Sequence, residues 1–333
     1  MKALVYLGPG RMELRDLPEA DPGPEEARVR VSTAAICGSD LHGFREASPR
    51  RIPPLVMGHE VVGTVEAVGS SVDPGLQGTR VVVMPVVSCG SCARCAEGRP
   101  NLCPNRRLMG MNFPGGFAET FTIGASQLLP LPADLSDEAG AVTEPFANSL
   151  HSVERAVRRG DEVLVIGAGP IGLLAVRAAV LAGATRVFAV DTLPDRLELA
   201  KAQGGTPLHA DGAADELAEA THGTGVDAVI DAAGYPSTWE LALNAVRWGG
   251  RIDVIGLGAV EGPVSYHAIV SKGVTVVGSY ACVRSDFDRA LELLAAGVTD
   301  VERWIKRMPL ADGQAAFQAL VDGGRFTKVV LVP

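Results

Sequence analysis

The stretch VLVIGAGPIGLLAV, residues 163 to 176, constrains this chain more than any other. An apolar run ends on Gly167, Gly169 and Gly172 in G-x-G-x-x-G spacing, and an Ala/Leu-rich helical pattern follows at once. Such a pattern describes a buried strand turning sharply into a helix. The first glycine permits the turn, the second lets backbone approach a ligand, and the third lets helix pack closely on strand. Pro170 and Ile171 complete the turn, and the helix N-terminus offers free N–H groups to an anion such as a pyrophosphate. The run is too short to span a bilayer, and glycines, Pro170 and the following Arg177 break it.

Around this element the texture repeats. From about residue 155, apolar strands (VLVIG, RVFAVD, DAVIDAAG, RIDVIGLG, VTVVGSY) alternate with Ala/Leu-rich helical stretches. Alternation of this kind, with runs buried on both faces, predicts an α/β unit with a doubly wound parallel sheet over 151–282. RVFAVD ends on Asp191, nineteen residues after Gly172. A carboxylate there can accept both ribose hydroxyls and repels a 2′-phosphate, which predicts NAD rather than NADP. Arg196, five residues on, either flanks the adenine ribose or lies in solvent. The first 150 residues differ: short alternating runs such as RVRVSTA, EVVGTVEAVG and RVVVMPVV, separated by Gly and Pro, predict an all-β region of barrel or sandwich type. After about 283, SDFDRALELLAAG reads as an amphipathic helix with Ser285 as N-cap and Gly297 as its stop, and KVVLV as a last strand.

Composition removes several classes of function. With 47% hydrophobic and 21% charged residues the chain can bury real cores, and its length fits about two domains. The net charge of −9, with Lys and Arg scattered, supplies neither a basic patch for nucleic acid nor a basic amphipathic helix for a membrane surface. The opening MKALVYLGPG has too short an apolar run for a signal peptide, so the expected compartment is a reducing cytoplasm.

Four of the six cysteines, Cys89, Cys92, Cys95 and Cys103, crowd into SCGSCARCAEGRPNLC at 88 to 103. Four thiolates at this spacing can wrap one Zn²⁺ tetrahedrally, a closed structural site. The C-x-x-C-x-x-C start also fits iron–sulfur ligation, and a disulfide framework is the third option, disfavoured in a reducing compartment. A second group lies upstream. AAICGSDLHG holds Cys37, Ser39, Asp40 and His42, and VMGHEVVG holds His59 and Glu60. A Cys and a His with neighbouring acids are candidate metal ligands, although a lone His among apolar residues is more often a hydrogen-bonded core residue.

CGSDLH, GHEVVGTVEAVG, the four-cysteine lobe at about 88–104, and GAGPIG with Asp191 occur in the order seen in the zinc-dependent medium-chain dehydrogenases, and the match covers nearly the whole chain. The resemblance implies a GroES-like β-barrel catalytic domain, 1–150 and 283–333, interrupted by a Rossmann coenzyme domain at 151–282. It further implies two zinc ions per chain: a structural one in the cysteine lobe, and a catalytic one on Cys37, His59 and Glu60. Asp40 resembles the carboxylate that orients His59 from behind. The position that is cysteine in the alcohol dehydrogenase branch is Glu144 here, as in the polyol, sugar and threonine dehydrogenase branches, where it approaches the metal directly or through water. Gly38 stands where the alcohol branch carries a pyrophosphate-binding arginine, and Lys328 is the candidate to replace that charge.

The chemistry implied is oxidation of a secondary alcohol. Zinc lowers the pKa of the substrate hydroxyl, hydride passes to nicotinamide, and the proton leaves through Ser39 and then His42. A sugar, polyol or cyclitol is the expected small-molecule substrate, with L-threonine or a sugar phosphate as alternatives. Phe44, Phe113 and Phe117 are candidates for its pocket or for the core. Arg45, Arg50 and Arg51 are candidates to grip an anionic substrate group or to lie in solvent. A homodimer or homotetramer is expected from the resemblance. A nucleotide-binding protein without turnover is the reading from another class; it predicts a lost ligand or relay hydroxyl, and every such position is filled.

Overall fold

The computed structural model describes residues 1–323 and 326–333. The chain divides into two compact units, Met1–Glu144 with Val283–Pro333, and Pro145–Cys282. The helix Thr143–Ala156 starts in the first unit and continues into the second.

In the first unit the short alternating runs are strands of one mainly antiparallel sheet. Its order is Leu128–Pro130, Arg80–Val83, Glu60–Val68, Glu26–Ala35, Lys328–Val332 and Ile305–Pro309, with Thr120–Gly124 also paired to Glu26–Ala35. Two register shifts between Glu26–Ala35 and Glu60–Val68 bend this central pair, as bulges do where a sheet must curl. Its core gathers Tyr6, Phe44, Met57, Phe117 and Phe317, with Phe317 packed at 5.2 Å from Phe44 and edge-on to Phe117 at 5.8 Å. Phe44 and Phe117 therefore belong to the core. Phe113 is half-buried under the guanidinium of Arg107, 5.0 Å from its ring centre.

The register of three strands matters most for function. Ala35 pairs with Glu60 on one side and with Val330 on the other, and Ile36 N–H donates to Val329 O at 2.9 Å. Cys37, His59, Glu60 and Lys328 thus arrive together at one end of the sheet, though Lys328 is hundreds of residues away in sequence.

The second unit is a six-stranded, all-parallel sheet. Its order is Thr206–His209, Arg186–Asp191, Glu162–Ile166, Val226–Asp231, Val246–Val254, Thr275–Gly278, the doubly wound order of a Rossmann fold. Leu164, Ile166, Phe188, Val229 and Ile252 fill its core. Strand order reverses at Glu162–Ile166, with later strands added first on one side of it and then on the other, so the turn after that strand lies at the switch point, where such sheets bind ligands. The strand Thr206–His209 carries no apolar run in sequence. It is short, contains Pro207, and survives because it is an edge strand.

One helix start differs from expectation. The helix after the return spans Arg284–Ala295, and Asp286, not Ser285, secures its entry by accepting the Val283 N–H at 2.9 Å. Gly297, at φ +67°, follows its end as expected.

The Gly-rich turn carries a stability prediction. A Cβ on Gly172 would stand 1.6 Å from Gly167 O. Gly172→Ala should therefore lower unfolding free energy by about 1–3 kcal/mol, the usual cost of overpacking a tight contact, read as a lower denaturant midpoint at unchanged slope.

Candidate active site

Cys37 ends the extended segment after Glu26–Ala35 and immediately precedes the helix Gly38–Arg45. Asp40, in that helix's first turn, turns back so that Oδ2 accepts the Cys37 N–H at 3.2 Å. Its other oxygen lies 3.6 Å from His59 Nδ1. One buried carboxylate thus faces both the cysteine's backbone and the back of the histidine.

The ligand atoms of Cys37, His59 and Glu60 all lie within 4.8 Å of one another. Glu144, buried in the first turn of Thr143–Ala156, stands outside that group but acts by its charge on both His59 and Lys328. Burial disfavours a charged His59, yet Asp40, Cys37 and Glu144 outweigh it and push its pKa up to about 10. A pocket that protonates a buried imidazole is a pocket that favours a cation.

Lys328 is the main departure from expectation. Only 2% exposed, it pairs through Nζ with Glu60 Oε2 beside Cys37 and Glu144. Burial works against its charge, but Glu60, Cys37 and Glu144 hold its pKa above the ordinary lysine value. Lys328 thus sits in the buried charge cluster around Glu60, Cys37 and Glu144. Arg51 is the second. Exposed Arg45 and Arg50 lie on the surface, but Arg51 is 4% exposed, and its Nη2 donates to Ser39 Oγ at 3.1 Å and Asp40 Oδ1 at 3.2 Å. Nothing in the run FREASPRRIP marks Arg51 from its neighbours, because the sequence gives no sign of which arginine the loop turns inward.

Charge balance tests the fit of a metal. Cys37 as thiolate, Asp40, Glu60 and Glu144 are anionic; Arg51 and Lys328 are cationic. The carboxylates Asp40, Glu60 and Glu144 crowd the buried His59, and a Cys/His/Glu donor set of this kind suits zinc.

The cysteine lobe fits zinc as well. Cys89, Cys92, Cys95 and Cys103 bring their sulfurs within 4.8 Å of one another, with Cys89–Cys103 and Cys92–Cys95 each at 3.5 Å. A tetrahedron of Zn–S bonds of about 2.3 Å puts sulfurs about 3.8 Å apart. A disulfide needs about 2.05 Å, and all six cysteines are free. Backbone donors at Ser91 and the neighbouring Cys103 lower the Cys89 pKa to about 6, which favours the thiolate a metal needs.

In the second unit the phosphate cradle has the expected form. Gly167 takes φ +90°, and Cβ space over Gly169 is empty to 4 Å. The helix Pro170–Leu181, running through Ile171 and Gly172, starts at Gly169. Asp191 ends its strand buried, Oδ2 accepting from Ala168 N at 2.7 Å and Oδ1 from Leu193 N at 2.9 Å. The carboxylate therefore ties its strand end to the Gly-rich turn. Arg196 Nη1 lies 3.7 Å from Asp191 Oδ2.

Ser39 is half-buried and His42 partly exposed, both on the helix that Cys37 begins. A separate cavity of about 1170 Å³, lined by Met1, Val56, Arg107, Phe113 and Gly124 among others, includes none of the metal-site residues.

A buried donor set for zinc and a Rossmann cradle for a dinucleotide define a metal-dependent oxidoreductase. Comparison with known proteins specifies which. Residues 23–133 match the alcohol dehydrogenase GroES-like domain, and residues 170–296 the zinc-binding dehydrogenase domain. The chain is 33% identical over 314 residues to the sorbitol dehydrogenase of Bacillus subtilis strain 168, covering 92% of this chain and 89% of that one. It is 34% identical over 338 residues to the L-threonine 3-dehydrogenase of Stenotrophomonas maltophilia strain K279a, covering 99% of each. The structure of an alcohol dehydrogenase from Thermus sp. ATN1 superimposes with a TM-score of 0.91 at 33% identity, over 100% of this chain and 99% of that one. The chain belongs to the zinc-binding alcohol dehydrogenase family.

The Lys328–Glu60 pair generates a second prediction. Lys328→Met leaves a buried carboxylate without its partner and should cost about 3–5 kcal/mol in denaturant unfolding. The double variant Lys328→Met/Glu60→Gln should recover part of that loss.

Proposed function

We propose that the chain oxidises a secondary alcohol of the polyol, sugar or cyclitol type to a ketone, with NAD as hydride acceptor. The observation that carries this reading is the Cys37/His59/Glu60 cluster, its ligand atoms within 4.8 Å of one another, with Glu144 beside it. Cys37, His59 and Glu60 would hold the catalytic zinc, with Glu144 near or on it, and the four-cysteine lobe would hold a structural zinc. Gly167, Gly169, Pro170, Ile171 and Gly172 would cradle the pyrophosphate, and Asp191, flanked by Arg196, would take the adenine ribose. When bound, zinc polarises the substrate hydroxyl and nicotinamide accepts the hydride.

The chain's own residues manage geometry and protons. Asp40 Oδ1 faces His59 Nδ1 at 3.6 Å, on the side from which carboxylates orient metal-binding imidazoles. Ser39 is the first proton acceptor and His42 the last, and His42 is partly open to solvent. Partial burial and the charges of Arg45 and Arg51 lower the His42 pKa below its ordinary 6.5, so the ring is neutral and able to accept a proton at neutral pH.

L-Threonine is the second reading, because the threonine dehydrogenase relative is as similar as the sorbitol one. A sugar phosphate has less support: Arg51 is committed to Ser39 and Asp40, which leaves only surface Arg45 and Arg50 for a phosphate. We also propose a homodimer or homotetramer and a cytoplasmic location. Among the described residues the edge strand Thr275–Gly278 is exposed and unpaired on one side; Trp248, on the neighbouring strand Val246–Val254, and Val270, five residues before the edge strand, are 67% and 79% exposed. No helix among the described residues is long and apolar enough to cross a membrane.

Nicotinamide reduction on polyols, sugars, sugar phosphates, simple alcohols and L-threonine, with NAD and with NADP, tests the reading. Turnover of a polyol or sugar with NAD, abolished by chelation and restored by zinc, is expected. Turnover confined to L-threonine would select the second reading. Ser39→Ala should cut turnover by about 10²–10⁴-fold with zinc content and NAD affinity kept. Wild-type oxidation should hold through neutral pH and fall as the pH drops below the His42 pKa, where the ring is already protonated. Val276→Lys on the open edge should shift the sedimentation coefficient toward the monomer's.

A further inference from the structure

We infer that Arg51 is a positioning residue for the proton path: it holds the Ser39 hydroxyl in place and fixes the direction of its hydrogen bonds. This rests on the dehydrogenase reading above and extends it to a residue outside the expected site.

The geometry is specific. Arg51 comes from the loop before the strand Leu55–Val56, where its N–H closes a turn on Ser48 O at 3.1 Å. Its side chain crosses the helix Gly38–Arg45 at Gly43, where a Cβ would stand 2.5 Å from Arg51 Cδ. Absence of a side chain at Gly43 opens the lane. At its end one nitrogen, Nη2, bridges Ser39 Oγ and Asp40 Oδ1 at 3.1 and 3.2 Å. The guanidinium is 4% exposed while its neighbours Arg50 and Ile52 face solvent.

Hydrogen-bond chemistry gives that contact a direction. A guanidinium only donates, and it stays protonated. Arg51 therefore occupies one lone pair of Ser39 Oγ and can accept nothing from it. The hydroxyl hydrogen must point elsewhere, and one lone pair remains to receive a proton. During turnover one O–H bond forms at Oγ as the substrate's proton arrives, and the original O–H bond breaks as Ser39 passes its own proton on. Arg51 gains and loses nothing. Because Asp40 is also the carboxylate behind His59, the bridge makes the relay hydroxyl and the metal-orienting carboxylate one rigid unit. Orientation of Asp40 alone would not require the contact to Ser39.

The test uses the zinc-loaded enzyme and the alcohol it oxidises. Arg51→Met, Arg51→Lys, Ser39→Ala and the double variant Ser39→Ala/Arg51→Met are compared for zinc content, kcat, KM and solvent isotope effect. Arg51→Met is expected to keep two zinc ions per chain and its KM for NAD, to lose about 10- to 100-fold in kcat, and to show a larger solvent isotope effect. Free guanidinium ion should restore part of the rate, and Arg51→Lys should lie between. In the Ser39→Ala background the same substitution should cost little more, because its target is gone.

Unchanged kcat in both Arg51 variants overturns the inference, as does full additivity of the Ser39 and Arg51 losses. Loss of zinc in proportion to activity also overturns it, by making Arg51 a support for the metal site alone. If Arg51→Met does not fold, Arg51→Lys decides: it keeps a charge near Asp40, but its shorter side chain does not place a donor where Nη2 meets Ser39 Oγ, so a wild-type kcat would sink the proposal. A zinc-loaded, NAD-binding wild type that oxidises no alcohol brings down the dehydrogenase reading itself, and is distinct from every outcome in which only the variants disagree.

Discussion

Pairing of Ala35 with Glu60 on one side and Val330 on the other decides what chemistry this chain can do. Those contacts bring Cys37, His59, Glu60 and Lys328 to one sheet end, from three segments far apart in sequence. A slip of one residue would turn each side chain to the opposite face, since neighbours in a strand alternate. The register is held by apolar packing well away from the site. Val29, Val31, Val61, Val65, Val329 and Leu331 are all buried in the same core. Hydrophobic burial is non-directional, but on a strand it selects a face, and that selection places the polar groups.

What gathers there is expensive to bury. Isolated charges out of water cost several kcal/mol each unless paired and hydrogen-bonded. The cluster pairs what it can, Glu60 with Lys328 and Asp40 with Arg51, and leaves an excess of negative charge around His59 and Cys37. The protein interior there favours positive charge before any substrate is considered. The same economy governs the second unit, where Asp191 is satisfied by the Ala168 and Leu193 N–H groups and thereby fixes the turn that a pyrophosphate would meet.

Reuse of single groups is the recurring device. Asp40 serves the Cys37 N–H, the Arg51 guanidinium and the face of His59. Ser39 is reached by the same arginine that neutralises Asp40. Shared partners stiffen a small site, because no member can move without breaking contacts of the others, and a site of this kind couples substitutions that would otherwise add.

Much of this was legible in the sequence. Apolar runs of period and length suited to buried strands, interrupted by Ala/Leu helices, determined the doubly wound sheet, and turn glycines at fixed spacing determined its cradle. Cysteine spacing determined the lobe, since ligands that lie close in sequence are close in space. Short-range chemistry of that sort is written in order along the chain. The strand Thr206–His209 was hidden because an edge strand needs no apolar run of its own. The helix entry at Val283 was misplaced because Ser285 and Asp286 are equally good caps until the backbone chooses one. Lys328 and Arg51 were decided by tertiary structure alone. From sequence, a lysine in a terminal strand reads as a candidate cofactor contact, and one arginine among three in a loop as open to an anionic substrate or to solvent. Only strand register and the gap at Gly43 turn them inward, and the physical reason is the same for both: burial of a cation is tolerable only where distant parts of the chain have already assembled the anions to meet it.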